Sequence, residues 1–244
     1  MKSVMMEVWR TVVPHEEDRD GPLKPMLIGL TVVSGMLDVF SILDLGHIFV
    51  ANVTGDVIFI ALGMAGARGF SIMASAVTLG VFALGAFIGG HLFTRFGAHR
   101  GRVLTVICLS EAVLFAASVI VASMTHGSLA AHDRYTLIVL LALAMGLQNA
   151  LAFKLAVPGL TTSVLTQAIT GIWADNQLAG GTGANTGTRI ASALALFVGA
   201  LAGAVLIHNV NGWTELLSAT AVLVAVGLTA AWLSRSDPPW VHRS

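Results

Sequence analysis

Charge is what this chain has least of. Asp, Glu, Lys and Arg make up 11% of its 244 residues, against about a quarter in soluble domains. Hydrophobic residues make up 56%, and mean hydropathy is +0.84. Such a composition excludes an ordinary water-soluble domain. The 13 basic and 13 acidic residues balance, so no basic face is offered to nucleic acid. Cysteine occurs once, as Cys108, which rules out an intrachain disulfide; inside an apolar run it reads as a small core residue. The N-terminus carries no cleavable signal pattern.

Enzyme signatures are missing as well. There is no His pair at helical metal spacing, no phosphate-binding glycine loop and no Gly-x-Ser-x-Gly elbow. Gly180, Gly181 and Gly183 precede Ala184-Asn-Thr-Gly where a phosphate site would need Lys-Ser/Thr, so they form a connection. The expectation is a protein that is not an enzyme and uses no cofactor and no metal.

What the chain does have is hydrocarbon-length sequence. Eight apolar segments cover approximately 26–43, 47–65, 71–94, 103–125, 135–155, 158–175, 188–208 and 213–233. Several reach the ~20 residues that cross a bilayer, and lipid tolerates only helices or closed barrels. Long continuous runs decide for helices, so an all-α polytopic membrane protein is expected. Residues 1–25 form a cytoplasmic N-terminal segment, 26–125 a first membrane repeat, 126–134 a connecting loop, 135–233 a second repeat and 234–244 a tail. Val4, Met5, Val8, Trp9 and Val12 share one helical face, which fits either an interfacial helix or a mobile tail.

The halves are related by motif. Gly35-Met-Leu-Asp38 is followed 16 positions after Asp38 by Thr54, within Asn52-Val-Thr54-Gly55-Asp56. Gly146-Leu-Gln148-Asn149 is followed 17 positions after Asn149 by Thr166, within Thr161-Thr162-Ser163-Val-Leu-Thr166-Gln167. Gly85 and Gly89 in the third segment match Gly199 and Gly203 in the seventh. Small residues four apart let helix backbones approach closely; here they suit either packing between the halves or a homo-oligomer contact.

Positive charge tests the threading. Eight crossings with the N-terminus inside leave Arg95, Arg100, Arg102 and Lys154 on the outer face. If the second and sixth segments are broken and turn back, eleven basic residues fall inside and only Arg68 and Arg134 outside, as the positive-inside rule prefers. Each half then has three crossings, so the halves are inverted repeats. Both termini are expected in the cytoplasm.

Polar groups within such segments mark where a membrane protein works. Asp38 lies about 18 Å into the first segment at 1.5 Å per residue, and is the candidate for proton coupling. Asn52, Thr54, Gly55, Asp56, Gln148, Asn149, Thr162, Thr166 and Gln167 are candidate substrate-binding residues. Half-helices starting near Thr54 and Thr166 would aim amide donors inward. His91 and Glu111 form a possible structural pair or proton relay. Trp173 is expected as an interfacial anchor and Asp175 at the surface. The favoured function is a secondary transporter of a small polar or anionic metabolite, with lipid as the surrounding partner. Alternatives are a channel for a small solute or ion, a non-transporting scaffold, or an intramembrane enzyme.

The two motif blocks resemble the YoaK-like family of small bacterial inner-membrane proteins, long classed as a domain of unknown function. The resemblance is carried by Gly35-Met-Leu-Asp38, Gly46-His-Ile-Phe49-Val-Ala-Asn52-Val-Thr54-Gly55, Gly146-Leu-Gln148-Asn149-Ala150 and Val157-Pro158-Gly159-Leu160-Thr161-Thr162. Asp56 stands where that family usually has Asn, and Gln167 where it has Gly. The resemblance implies a multi-pass protein of the bacterial inner membrane and brings no activity. Gly90-His-Leu-Phe-Thr-Arg95-Phe-Gly97 is similar to a short cytoplasmic loop of major facilitator transporters, with Thr94 in place of its acidic residue.

Overall fold

In the computed structural model, residues 2–13, 20–96, 99–125, 129–160, 165–175, 180–181, 184–235 and 239–241 are described, and they are all-helical. Six helices are 21 to 25 residues long and strongly apolar: α2 (Leu23–Leu43), α4 (Ile72–Phe96), α5 (Arg100–Met124), α6 (Ala131–Leu155), α8 (Thr186–Asn209) and α9 (Gly212–Leu233). At 1.5 Å per residue each exceeds the ~30 Å hydrocarbon core. α1 (Lys2–Val12) precedes them, and a short 3₁₀ turn (Pro239–Val241) follows.

The second and sixth apolar segments are the broken ones. Each keeps only a short helix, α3 (Thr54–Met64) and α7 (Leu165–Ala174), of 11 and 10 residues. Neither covers more than about 17 Å. The breaks have local causes. After α2, Gly46 and His47 both adopt positive φ, +83° and +58°, a conformation that ends a helix. After α6, left-handed Ala156 caps the helix, Pro158 removes an amide donor, and Gly159 turns at φ +80°. α6 starts at Ala131, four residues before the expected boundary, taking Asp133 and Arg134 into its first turns.

Two clusters of contacts define the ends of the bundle. At one end, end A, Arg100 bonds Asp20 at 2.7 Å and the Leu155 carbonyl at 3.1 Å, while Gly101 sits against Ser234 and Trp240. α1 docks there on the start of α8: Glu7 accepts from the Gly187 amide at 3.1 Å, and the Thr11 and Thr188 hydroxyls lie 3.1 Å apart. The N-terminus, read from sequence as an interfacial helix or a mobile tail, forms a helix docked on α8. At the opposite end, end B, the close of α2, the close of α5, the start of α6 and the start of α9 surround one cavity. The six long helices therefore alternate: α2, α5 and α8 run from A to B, and α4, α6 and α9 from B to A.

Packing is reciprocal. α2 packs on α8 and α6 on α4; α5 packs on α9; α5 meets α6 and α2 meets α9; α3 lies on α4 and α7 on α8. Replacing α2–α5 by α6–α9, and the reverse, turns each of these pairs into another of them. Glycines make two of the three heaviest crossings possible. A Cβ at Gly35 would run into the Leu196 carbonyl of α8, and one at Gly199 into the Val32 carbonyl of α2. At the other crossing, a Cβ at Gly146 would strike the Phe82 carbonyl and one at Gly85 the Leu143 carbonyl. The glycine faces offered from sequence as an oligomer contact are thus filled within the chain.

Close backbone approach of this kind leaves no room for a side chain. Gly35→Leu and Gly146→Leu are expected to lower unfolding stability in detergent by about 1–3 kcal/mol or more, whereas Gly80→Leu, which faces open space, changes it by less than ~0.5 kcal/mol. Equal shifts at all three sites would contradict the crossing geometry.

Candidate functional site

The site begins with a carboxylate on α2. Asp38 is buried, fifteen residues beyond Leu23 and five before the helix ends, so it lies about 22 Å from end A and well inside the span. Its Oδ1 accepts from the backbone amide of Asn52 at 3.3 Å, and its Oδ2 accepts from the Asn52 side-chain Nδ2. To make these bonds the chain leaves α2 at end B, turns at Gly46-His47 and comes back down to the level of Asp38.

α3 then returns to end B. Phe49 on the descending leg stacks on Phe59 of α3, centroids 5.6 Å apart; Phe59 packs on Phe70 at 5.2 Å, and Phe70 on His47 at 6.0 Å. An aromatic ladder thus zips the two legs together. Asp56, in the first turn of α3, is fully buried and places both oxygens 3.3 Å from the Phe49 amide. Gly55 lets the Phe49 ring lie against the turn, since a Cβ there would overlap it. Each carboxylate satisfies an amide of unwound backbone that would otherwise face hydrocarbon.

The second half contributes from α6. Gln148 is fully buried and donates to the Leu30 carbonyl at 3.2 Å and to the Ser34 hydroxyl at 2.8 Å. Leu30, Ser34 and Asp38 are four apart, hence on one face of α2. Gln148, Ser34, Asp38 and Asn52 therefore form one polar row crossing from α6, along α2, to the hairpin. The Gln148 carbonyl oxygen has no hydrogen-bond partner among the described residues. Ser34 was missed by sequence reasoning, although its i, i+4 spacing to Asp38 marks it. Asn149, the counterpart of Asp38, bonds back to the Met145 carbonyl at 2.9 Å.

Not every expected residue joins this row. Thr54, Thr166 and Gln167 are exposed on their short helices. Thr162, with Thr161 and Ser163, lies outside the described residues. His91 is exposed on α4, and Glu111 is fully buried on α5 with neither oxygen hydrogen-bonded among the described residues; His91 and Glu111 do not pair, because α4 turns that face outward while α5 turns Glu111 into the bundle. Trp173 is exposed, as an interfacial anchor requires, and Asp175 pairs with Arg189 at 2.9 Å. Nearer end B, the cavity of about 620 Å³ is lined by Phe40, Asp44, Arg134, Asn211 and Trp213 among others. Burial raises the Asp44 carboxyl above its ordinary range. Asp44 is therefore more than the solvated turn residue its position suggests.

Comparison with known proteins adds a family and no activity. Residues 26–229 match the family described as "Protein of unknown function (DUF1275)". The UPF0700 transmembrane protein YoaK of Bacillus subtilis is 26% identical over 148 residues, which are 60% of this chain and 64% of that protein. No solved structure matches.

The bond between Asp38 and Asn52 has a measurable signature. Asn52→Ala is expected to cost about 1–3 kcal/mol in the native background and far less when Asp38 is already Ala. A double-mutant cycle on unfolding in detergent measures that coupling. Additive losses would show that the two side chains act separately.

Proposed function

Because this chain belongs to the DUF1275 family, whose description assigns no activity, its function has to be read from the site, and we propose that it is a secondary transporter of a small polar or anionic metabolite. The observation that carries the reading is the bond between Asp38 and Asn52, which ties a re-entrant hairpin to a membrane span at depth. Polar, unwound chain inside hydrocarbon is tolerated where it lines a path for solute. The Asn52 amides are held by Asp38 here and become donors for an oxyanion once that bond opens.

Inverted topology supports it. α2, α4 and α5 run A–B, B–A, A–B, and α6, α8 and α9 run in the opposite senses, which supports reading the two sets as inverted repeats. Among the described residues, Lys2, Arg10, Lys24, Arg95, Arg100, Arg102, Lys154, Arg189 and Arg235 belong to segments at end A, and Arg68 and Arg134 to end B. The positive-inside rule then makes end A cytoplasmic, with both termini there, in the inner membrane of a bacterium.

The moving parts in this reading are not the two halves of the sequence. α2 and α8 form one close-packed pair, α4 and α6 the other, while α2 and α6 touch only lightly. That light seam is where Gln148 meets Ser34 and where Asp38, on the first pair, meets the hairpin carried by α4. α5 and α9 pack along each other and act as the fulcrum. Protonating Asp38 would remove one acceptor and the charge assistance of its bonds to Asn52, loosening the seam. Proton arrival and opening are thereby linked. In this reading the protein acts as a carrier and makes or breaks no covalent bond in the solute.

In proteoliposomes, Asp38→Asn is expected to abolish solute accumulation driven by a pH gradient while counterflow of labelled solute persists. The folded fraction, checked by size exclusion, stays unchanged. Undiminished pH-driven uptake in this variant would remove the coupling role, and ionic conductance without counterflow would replace the carrier by a channel.

A further inference from the structure

A second cavity, of about 420 Å³, lies at end A between the start of α5 and the close of α9. Its polar wall is basic. Arg102, Arg235 and His99 line it, with the hydroxyl-bearing Thr105 and Ser234. Arg100, two residues before Arg102, is by contrast buried against Asp20. Arg102 and Arg235 are different, being exposed and, among the described residues, without an ion-pair partner. Among the described residues, no carboxylate lines the cavity.

The opposite wall is apolar, and it leads somewhere. Val106 and Ala231 close the cavity on the membrane side. Past them Leu109 and Leu228 are exposed on α5 and α9. Leu109 also packs against Gly227, so the two helices are in direct contact below the cavity and present an apolar outer surface to lipid. Two guanidinium groups and hydroxyls at the membrane boundary match a phosphate diester. The apolar surface of Val106, Ala231, Leu109 and Leu228 next to it matches an acyl chain. A soluble phosphate would use the first feature and leave the second without purpose.

We propose that this cavity binds the headgroup of an anionic phospholipid, its phosphate on Arg102 and Arg235 and an acyl chain laid along the exposed Leu109 and Leu228. The basic pocket sits at the surface where anionic lipids are held by arginine and lysine. A lipid seated there bridges α5 to α9, the pair that holds the two packed bodies together. The inference rests on the spans and this cavity, and is independent of what the protein transports.

The test uses purified full-length protein in neutral detergent, titrated with phosphatidylglycerol or phosphatidylcholine. Thermal unfolding and native mass spectrometry read the binding. Phosphatidylglycerol is expected to raise the unfolding midpoint and to remain bound, and phosphatidylcholine to do neither. The double variant Arg102→Gln/Arg235→Gln needs roughly 30-fold more phosphatidylglycerol for the same shift. Val106→Trp, which fills the apolar throat without changing charge, weakens the response too, whereas Arg68→Gln at end B leaves it intact. An equal response in wild type and double variant would overturn the proposal. So would stabilisation by inorganic phosphate alone that disappears in the double variant, because it would assign the cavity to a soluble phosphate.

Discussion

Backbone that unwinds inside hydrocarbon finds no water, so its amides must be bonded by the protein itself. This constraint shapes the first half of the membrane region. The leg that descends from end B to Asn52 has its Asn52 amide held by Asp38 and its Phe49 amide held by Asp56. Two buried carboxylates stand where water would stand in a soluble loop. Their burial is costly in isolation, and the bonds they accept offset that cost. The aromatic ladder of Phe49, Phe59, Phe70 and His47 then closes the hairpin. Structure and candidate chemistry are carried by the same two side chains.

Glycine placement extends the same logic to the spans. Helices gain little from burying apolar surface in lipid, so close packing has to hold them together. Gly35 and Gly199 at one crossing, and Gly146 and Gly85 at another, bring backbones into direct contact. Each crossing joins the first membrane span of one half to the second membrane span of the other. The halves are therefore interlocked, and the light seam falls between α2 and α6 instead of between residues 125 and 135. A polar row occupying a weakly packed seam is able to change with a small displacement; the same row inside a glycine crossing would not.

Much of this was legible in the sequence, for identifiable reasons. The eight segments announce themselves by length, and the interruption of two of them by Asn52, Gly55, Pro158 and Gly159. The paired glycines are visible as spacing. What the spacing does not reveal is direction: Thr54 and Thr166 read as pocket residues because they open short helices, yet both turn outward. Glu111 and His91 look adjacent on neighbouring segments, but α4 packs on α6 and α5 on α9, so their faces diverge. Glu111 and Glu215 remain buried with unbonded oxygens among the described residues. Ser34 hid among the small residues of α2 until Gln148 was seen to bond it.

Everything turns on whether α3 and α7 return to the faces they came from. Single cysteines in a background lacking Cys108, labelled with a membrane-impermeant thiol reagent in oriented vesicles, measure this directly. Positions 43 and 68, flanking α3, are expected to react from one common face, and positions 156 and 180, flanking α7, from the opposite face. Labelling of 43 and 68 from different faces would mean that the chain crosses at α3, and the account of two opposed hairpins would fail.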